Sequence, residues 1–366
     1  MSAPKGPRGL VGEQLEVALR RGPEVLPLLR EVWGDARDVP REYPLLFEED
    51  GAANAFVTLS VGAEPASTCG YLERDLVTPF GELRVALLGS VATRPAWRGR
   101  GLAGHVLAAA ESVARERGCV AVLLWPMDGR VYRGSGYRPA ACEWNVLLPT
   151  DLELGAAVEV RSATPADADE LLALYDRHPV RVRRTAAEFA QLLGCPDMDA
   201  RVAIERGRAV AYACRGRGGD LATCVHEWAG RTDAVLGLVS LFAREVTGAG
   251  DARYLLAPDW ASEVTEALLD AGCLATTRPL GMAKLADRAA ACRYLEQRTG
   301  RELVPTACGA LVQTDDGPRG LTDAQLLAAV RPPENRGAGL EAAAEALGAS
   351  PEDLPAYAFC WGLDSI

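Results

Sequence analysis

The stretch Leu88–Gly104, LGSVATRPAWRGRGLAG, sets the tightest limits on what this chain can fold into. An apolar run, Val85–Val91, reads as a strand. A loop with Pro95, Trp97 and Arg98 follows. Then Arg98-Gly99-Arg100-Gly101-Leu102-Ala103-Gly104 opens a helix predicted over Arg100–Arg117. Leu102, Val106, Leu107, Ala110, Val113 and Ala114 share one face of that helix, which is amphipathic spacing. Glycines at a strand-to-helix turn let backbone N–H groups approach an anion closely, and the helix N-terminus adds favourable partial charge. The stretch is predicted to cradle a pyrophosphate.

Two patterns overlap in it. Gly99, Gly101 and Gly104 spell G-x-G-x-x-G, the dinucleotide fingerprint, which requires its first glycine directly after a strand and an acidic residue about 20 positions later. Here seven residues separate Val91 from Gly99, and the next predicted strand, Val120–Trp125, ends without a carboxylate. The second pattern is Arg/Gln-x-x-Gly-x-Gly/Ala, met by Arg98, Gly101 and Ala103. It resembles the coenzyme A motif of the GNAT superfamily of N-acetyltransferases. Val91-Ala92-Thr93-Arg94-Pro95 resembles that superfamily's fourth strand and the loop leaving it. Val131-Tyr-Arg-Gly-Ser-Gly-Tyr137 resembles its later Y-x-x-x-G-[FY] segment.

The 366 residues have room for two or three domains. A net charge of −11 argues against nucleic acid as a partner and suits a cationic amine. Ten cysteines without a C-x-x-C pair, and only three histidines, give no zinc-like spacing, so no metal is expected. Scattered free thiols fit a reducing, cytoplasmic setting. No apolar run is long enough to span a bilayer, so no membrane partner is expected.

Helical patterns are predicted over Val11–Arg20 and Glu24–Trp33, and strands over Ala55–Val61, Thr68–Val77 and Leu83–Val91. Strand Val120–Trp125, a short helix Gly129–Gly136 and strand Glu143–Leu148 complete a first unit. Pro149–Ala157 reads as a linker. Val158–Asp169 then starts afresh, with Thr164 as N-cap and Pro165 at N1. Strands near Ala200–Glu205, Val210–Arg215 and Leu221–Trp228, and helices near Ala234–Val246 and Ser262–Ala271, repeat the first architecture. The glycine cradle is missing from this copy, and Leu268 stands where the first copy has Tyr132. His226 and Glu227 point to opposite faces by strand alternation, so no joint site is expected of them. Helical patterns near Thr322–Val330 and Leu340–Leu347 precede an aromatic tail, Pro355–Ile366, expected to dock.

The fold class implied is α/β (α+β): two tandem GNAT folds of mixed, mostly antiparallel sheet flanked by helices, the second degenerate. The domains expected are 1–150 with the acetyl-CoA site, 151–300 without it, and a small module over 301–366. The resemblance implies that Arg98–Gly104 (Arg98, Gly99, Arg100, Gly101, Leu102, Ala103 and Gly104) hold the pyrophosphate of acetyl-CoA, the acyl-donor substrate. Val91, Ala92 and Thr93 would receive the pantetheine arm and polarise the acetyl carbonyl, and Tyr132 would be the general acid. The overall arrangement resembles the enhanced intracellular survival acetyltransferases, which implies the terminal carboxylate of Ile366 as base, with Asp364, Glu227 and Asp128 as fallbacks. The acceptor expected is a small-molecule or peptide amine, attacking directly. A homo-oligomer is left open. Rival readings are a non-catalytic acyl-CoA-sensing protein and a mycothiol-synthase-like acyltransferase.

Overall fold

The computed structural model describes residues 15–35, 37–49, 51–79, 81–126, 128–218, 221–245, 253–258, 262–314, 316–330, 338–350 and 361–364. The first half supplies β1 (Leu15–Arg20), β2 (Asn54–Val61), β3 (Glu64–Thr78), β4 (Gly81–Thr93), β5 (Ala121–Leu124) and β6 (Arg138–Leu147). The second supplies β7 (Glu159–Ser162), β8 (Arg181–Val182), β9 (Asp199–Glu205), β10 (Arg208–Arg215), β11 (Cys224–Gly230), β12 (Tyr254–Pro258) and β13 (Ala275–Leu285). All join one 13-stranded sheet, ordered β1-β2-β3-β4-β5-β13-β6-β12-β11-β10-β9-β7, with β8 beside β3. Two pairs, β4/β5 and β11/β12, are parallel; the other pairs are antiparallel.

That order shows an exchange. β13, from the second half, inserts between β5 and β6 of the first, with Met282 opposite Leu124 and Leu285 opposite Ala121. β6, from the first half, pairs with β12 of the second, with Val146 opposite Leu255. Each half therefore completes the other's sheet.

Leu15–Arg20 corrects the helical expectation for Val11–Arg20, whose first four positions lie outside the described residues. Leu15, Val17 and Leu19 alternate with polar or small residues, so a strand puts all three on one face, opposite Val61, Leu59 and Val57. Helix Gly22–Trp33 buries Val25, Leu28 and Leu29 on one side of the sheet. Helix Leu102–Glu116 buries Leu102, Val106, Leu107, Ala110 and Ala114 on the other. In the second half, helices Ala168–Tyr175 and Ala186–Leu193 and helix Thr232–Glu245 repeat the division. A further helix, Arg288–Thr299, leads to a three-stranded sheet, β14 (Leu303–Thr306), β15 (Gly309–Thr314) and β16 (Gly317–Thr322), packed with helices Asp323–Val330 and Ala338–Leu347. Among the described residues no helix is long and apolar enough to cross a membrane.

Candidate active site

β4 and β5 run side by side only from Val85/Ala121 to Leu88/Leu124; beyond that β4 continues alone to Thr93. At the point of parting, β4 carries one residue too many for its partner. Thr68 faces Ala92 and Gly70 faces Gly89, so Ser90 and Val91 together stand opposite Cys69, a β-bulge. Ser90 takes the extra turn with φ +48°, unusual for a side-chain-bearing residue. The strand end is pinned to β3 at two points: Thr93 Oγ1 bonds Ser67 Oγ at 2.8 Å, and Arg94 N–H donates to Ala66 O at 3.0 Å. Val91, Ala92 and Thr93 thus form a fixed lip beside the gap.

The glycine turn follows. Gly99 and Gly101 adopt φ +76° and +80°, which a side chain would strain. A Cβ at Gly99, Gly101 or Gly104 would meet no atom within 4 Å, so the surface over all three is open. Gly104 N–H bonds back to Gly101 O, while among the described hydrogen bonds none takes the N–H groups of Gly99, Arg100, Gly101, Leu102 or Ala103. Five donors in a row at a helix N-terminus suit an anion. Two arginines brace the turn: Arg98 Nε donates to Thr93 O at 3.1 Å, and the Arg100 guanidinium lies 4.8 Å from the Trp97 ring centre. The predicted helix start at Arg100 moves to Leu102, with Gly101 as N-cap.

Tyr132 sits in a one-turn helix, Arg130–Arg133, half-buried and edge-on to Tyr137, with ring centres 6.0 Å apart. Burial, and then the neighbouring Cys69 thiol, raise its pKa above the usual phenol value. Cys69 is the residue opposite the Ser90–Val91 bulge, so the tyrosine, the bulge and the gap share one corner of the sheet. Tyr137 is fully buried. Behind Tyr137 lies a pair that sequence reasoning missed: Lys284 Nζ, on the exchanged β13, bonds Glu111 Oε2 of the cradle helix at 2.6 Å. Lys284 also stands 5.7 Å from the Tyr137 ring centre. Its rarity was the available signal, since the chain has two lysines, Lys5 and Lys284.

Residues 22–140 match the family model described as an acetyltransferase (GNAT) domain. This part of the chain is a GNAT acetyltransferase domain. Three solved structures share the wider fold: GCN5-related N-acetyltransferases from Kribbella flavida (18% identity, TM-score 0.58, 84% of each chain) and Anabaena variabilis (14%, 0.61, 84% of this chain and 85% of that one), and Eis1 from Mycobacterium abscessus (15%, 0.55, 84% of each). No curated protein matches the sequence. GNAT domains take acetyl-CoA as acyl donor. The turn, open over Gly99, Gly101 and Gly104 and with five N–H groups that take no partner among the described hydrogen bonds, fits its pyrophosphate, and the gap past Leu88/Leu124 fits an arm laid along β4.

The carboxylates Asp128, Glu227 and Asp364 are each paired with an arginine. Asp128 is half-buried and held near pKa 2 by Arg130. Glu227 and Asp364 are both buried and share one guanidinium, Arg184 (2.7 and 2.8 Å). Ile366 lies outside the described residues.

Proposed function

We propose that the GNAT domain transfers an acetyl group from acetyl-CoA to a primary amine by direct attack. One juxtaposition supports the reading: the half-buried Tyr132 neighbours Cys69, the residue opposite the Ser90–Val91 bulge just past the point where β4 parts from β5. Acetyl-CoA supplies a thioester whose carbonyl carbon accepts the amine while the thiolate leaves. Backbone N–H groups of Val91–Thr93 stabilise negative charge developing on the carbonyl oxygen, the type of preorganised donor that lowers such barriers. The N–H groups of Gly99–Ala103 hold the pyrophosphate and so fix the reacting carbon in line with the lip. Tyr132, kept protonated by its raised pKa, gives its proton to the departing sulfur.

The amine proton goes to the carboxylate of Ile366 in this account. The resemblance to the enhanced intracellular survival acetyltransferases is what points to it, and the carboxylates weighed beside it are otherwise engaged. Asp128 is a weak base at its lowered pKa, and Glu227 and Asp364 are spent on Arg184. Removing the last two residues should lower kcat 10- to 100-fold and leave acetyl-CoA affinity unchanged; equal turnover would move the base elsewhere.

The second half acts as a partner without donor chemistry. Where the first half has its glycine turn, β11 passes through Arg231 straight into helix Thr232–Glu245. Asp233, in the first turn of that helix, places a negative charge where a phosphate would bind, and Leu268, fully buried, replaces Tyr132. The function is tested by thiol release from acetyl-CoA across a panel of amines, wild type against Tyr132→Phe. Loss of turnover with retained acetyl-CoA affinity supports the reading. Tight binding with no turnover on any amine would favour a sensing role.

A further inference from the structure

The second half has a gap of its own. β11 and β12 pair in parallel only at Cys224/Tyr254 and Val225/Leu255, after which β11 runs on alone to Gly230. Val225/Leu255 is the counterpart of Leu88/Leu124. Three positions past Leu88 is Val91, on the lip of the acyl-CoA gap; three past Val225 is Trp228. Against this parted stretch, His226–Trp228, lies the end of the chain itself.

Trp361 is fully buried there. Its ring lies edge-on to Trp228 at 5.1 Å and tilted by 31° against His178 at 4.2 Å, while His178 Nε2 reaches Trp228 O at 2.9 Å. Gly362 comes so close to the His226 ring that a Cβ would fall 2.4 Å from Nδ1. Its carbonyl accepts from Arg217 Nη1 at 2.6 Å. Asp364 then takes two bonds from Arg184, Nε to Oδ1 at 2.9 Å and Nη2 to Oδ2 at 2.8 Å, and a third from Tyr175 Oη at 3.2 Å. The other edge of Arg184 is held by Glu227, itself bonded to Tyr212 Oη at 2.8 Å. An aromatic pocket, a contact open only to glycine and a buried guanidinium for a carboxylate are three independent elements of peptide recognition.

We infer that the second half's counterpart of the acyl-CoA gap is a peptide-binding slot, and that its ligand is this chain's own Trp361–Asp364. The inference rests on topology and these contacts, and it stands whatever chemistry the first half performs. Occupancy also reaches across the molecule. Arg217, which holds Gly362, donates through Nε and Nη2 to Glu42 O at 3.0 and 2.8 Å, so the filled slot braces helix Val39–Glu42 of the first half.

Hydrogen exchange and timed carboxypeptidase digestion of the full chain test this. Wild type is compared with Gly362→Val, which meets His226, and Asp364→Asn, which keeps the shape but removes the charge from Arg184. The slot predicts at least tenfold faster digestion through Trp361 in both variants. It also predicts faster exchange in two distant segments, β11 and 39–47, while β2, β3 and one-site acetyl-CoA binding stay as in wild type. Digestion through Trp361 at the same rate in all three proteins would overturn the inference. So would exchange that rises everywhere in both variants, which marks a general packing defect.

Discussion

Met282 of β13 lies opposite Leu124 of β5, so a residue from late in the chain completes the sheet at the gap where acetyl-CoA is expected to enter. Two residues further along the same strand, Lys284 closes on Glu111 of the cradle helix. The GNAT domain is thus finished by the far half of the chain, and several expectations follow from that.

A fragment ending at residue 150 lacks β13 and leaves β5 and β6 as bare edges on both sides of the missing strand. Exposed strand edges of this kind pair with other chains. The fragment is expected to aggregate or to unfold far below the melting temperature of the whole chain. A soluble monomer of 1–150 with cooperative unfolding would contradict the importance of the exchange.

Lys284→Met should uncover the same dependence more gently. It strands the largely buried Glu111 carboxylate without its partner, a loss on the order of 1–3 kcal/mol for a pair at this depth. The melting temperature should fall by several degrees, and Glu111→Gln combined with Lys284→Met should recover part of the loss. A double variant no better than the single one would speak against a paired role.

Gly101→Val addresses the cradle. At φ +80° the new side chain costs about 1–2 kcal/mol of backbone strain. It also covers N–H groups that have no other partner. Acetyl-CoA affinity should drop at least tenfold, with a much smaller change in melting temperature. Unchanged affinity would mean that the phosphates bind elsewhere.

The pH dependence of stability should carry the mark of two histidines, His226 buried and His178 half-buried, with Glu143, raised by burial to about 7, acting in the opposite direction. Burial pushes His178 and His226 down to about 4 from 6.5, partly offset by the hydrogen bond each ring donates, to Trp228 O and Gly216 O respectively. Between those values the unfolded chain binds more protons than the folded one, so stability present above pH 6.5 is lost as pH falls towards 4. The loss approaches about 3 kcal/mol for each histidine. Arg184 and Arg217 press in the same direction, while Glu227 opposes it at His178. Urea unfolding at pH 7.5 and pH 5 should show the drop, and His178→Gln should make it shallower. A pH profile that His178→Gln leaves unchanged would refute the assignment.

What the sequence disclosed was local. The strand, loop and helix over Val85–Arg117 sit within a few residues of where periodicity and glycines put them, because propensity and capping act between near neighbours. The repeat of one architecture was visible for the same reason. The exchange of β6 and β13 was not, since pairing Glu143 with Arg278 leaves no periodic trace in either segment. The tail's docking was foreseen from its aromatic character, but its receptor was not: Arg184 and Asp364 are 180 positions apart. His226 and Glu227 do point apart as alternation requires, yet both meet the tail, Glu227 through Arg184 and His226 against Gly362. Helix Ala186–Leu193 was missed although Thr185 and Glu188 spell a capping box. The sheet β14–β16 is built from short, Pro- and Gly-rich strands that carry little signal.

The most direct test of the account is a calorimetric titration of the full chain with acetyl-CoA, fitted for stoichiometry. The account predicts one site per chain, abolished or weakened at least tenfold by Gly101→Val and retained in Tyr132→Phe. Two sites would contradict the loss of donor binding in the second half, and no binding at all would remove the acetyl-transfer reading.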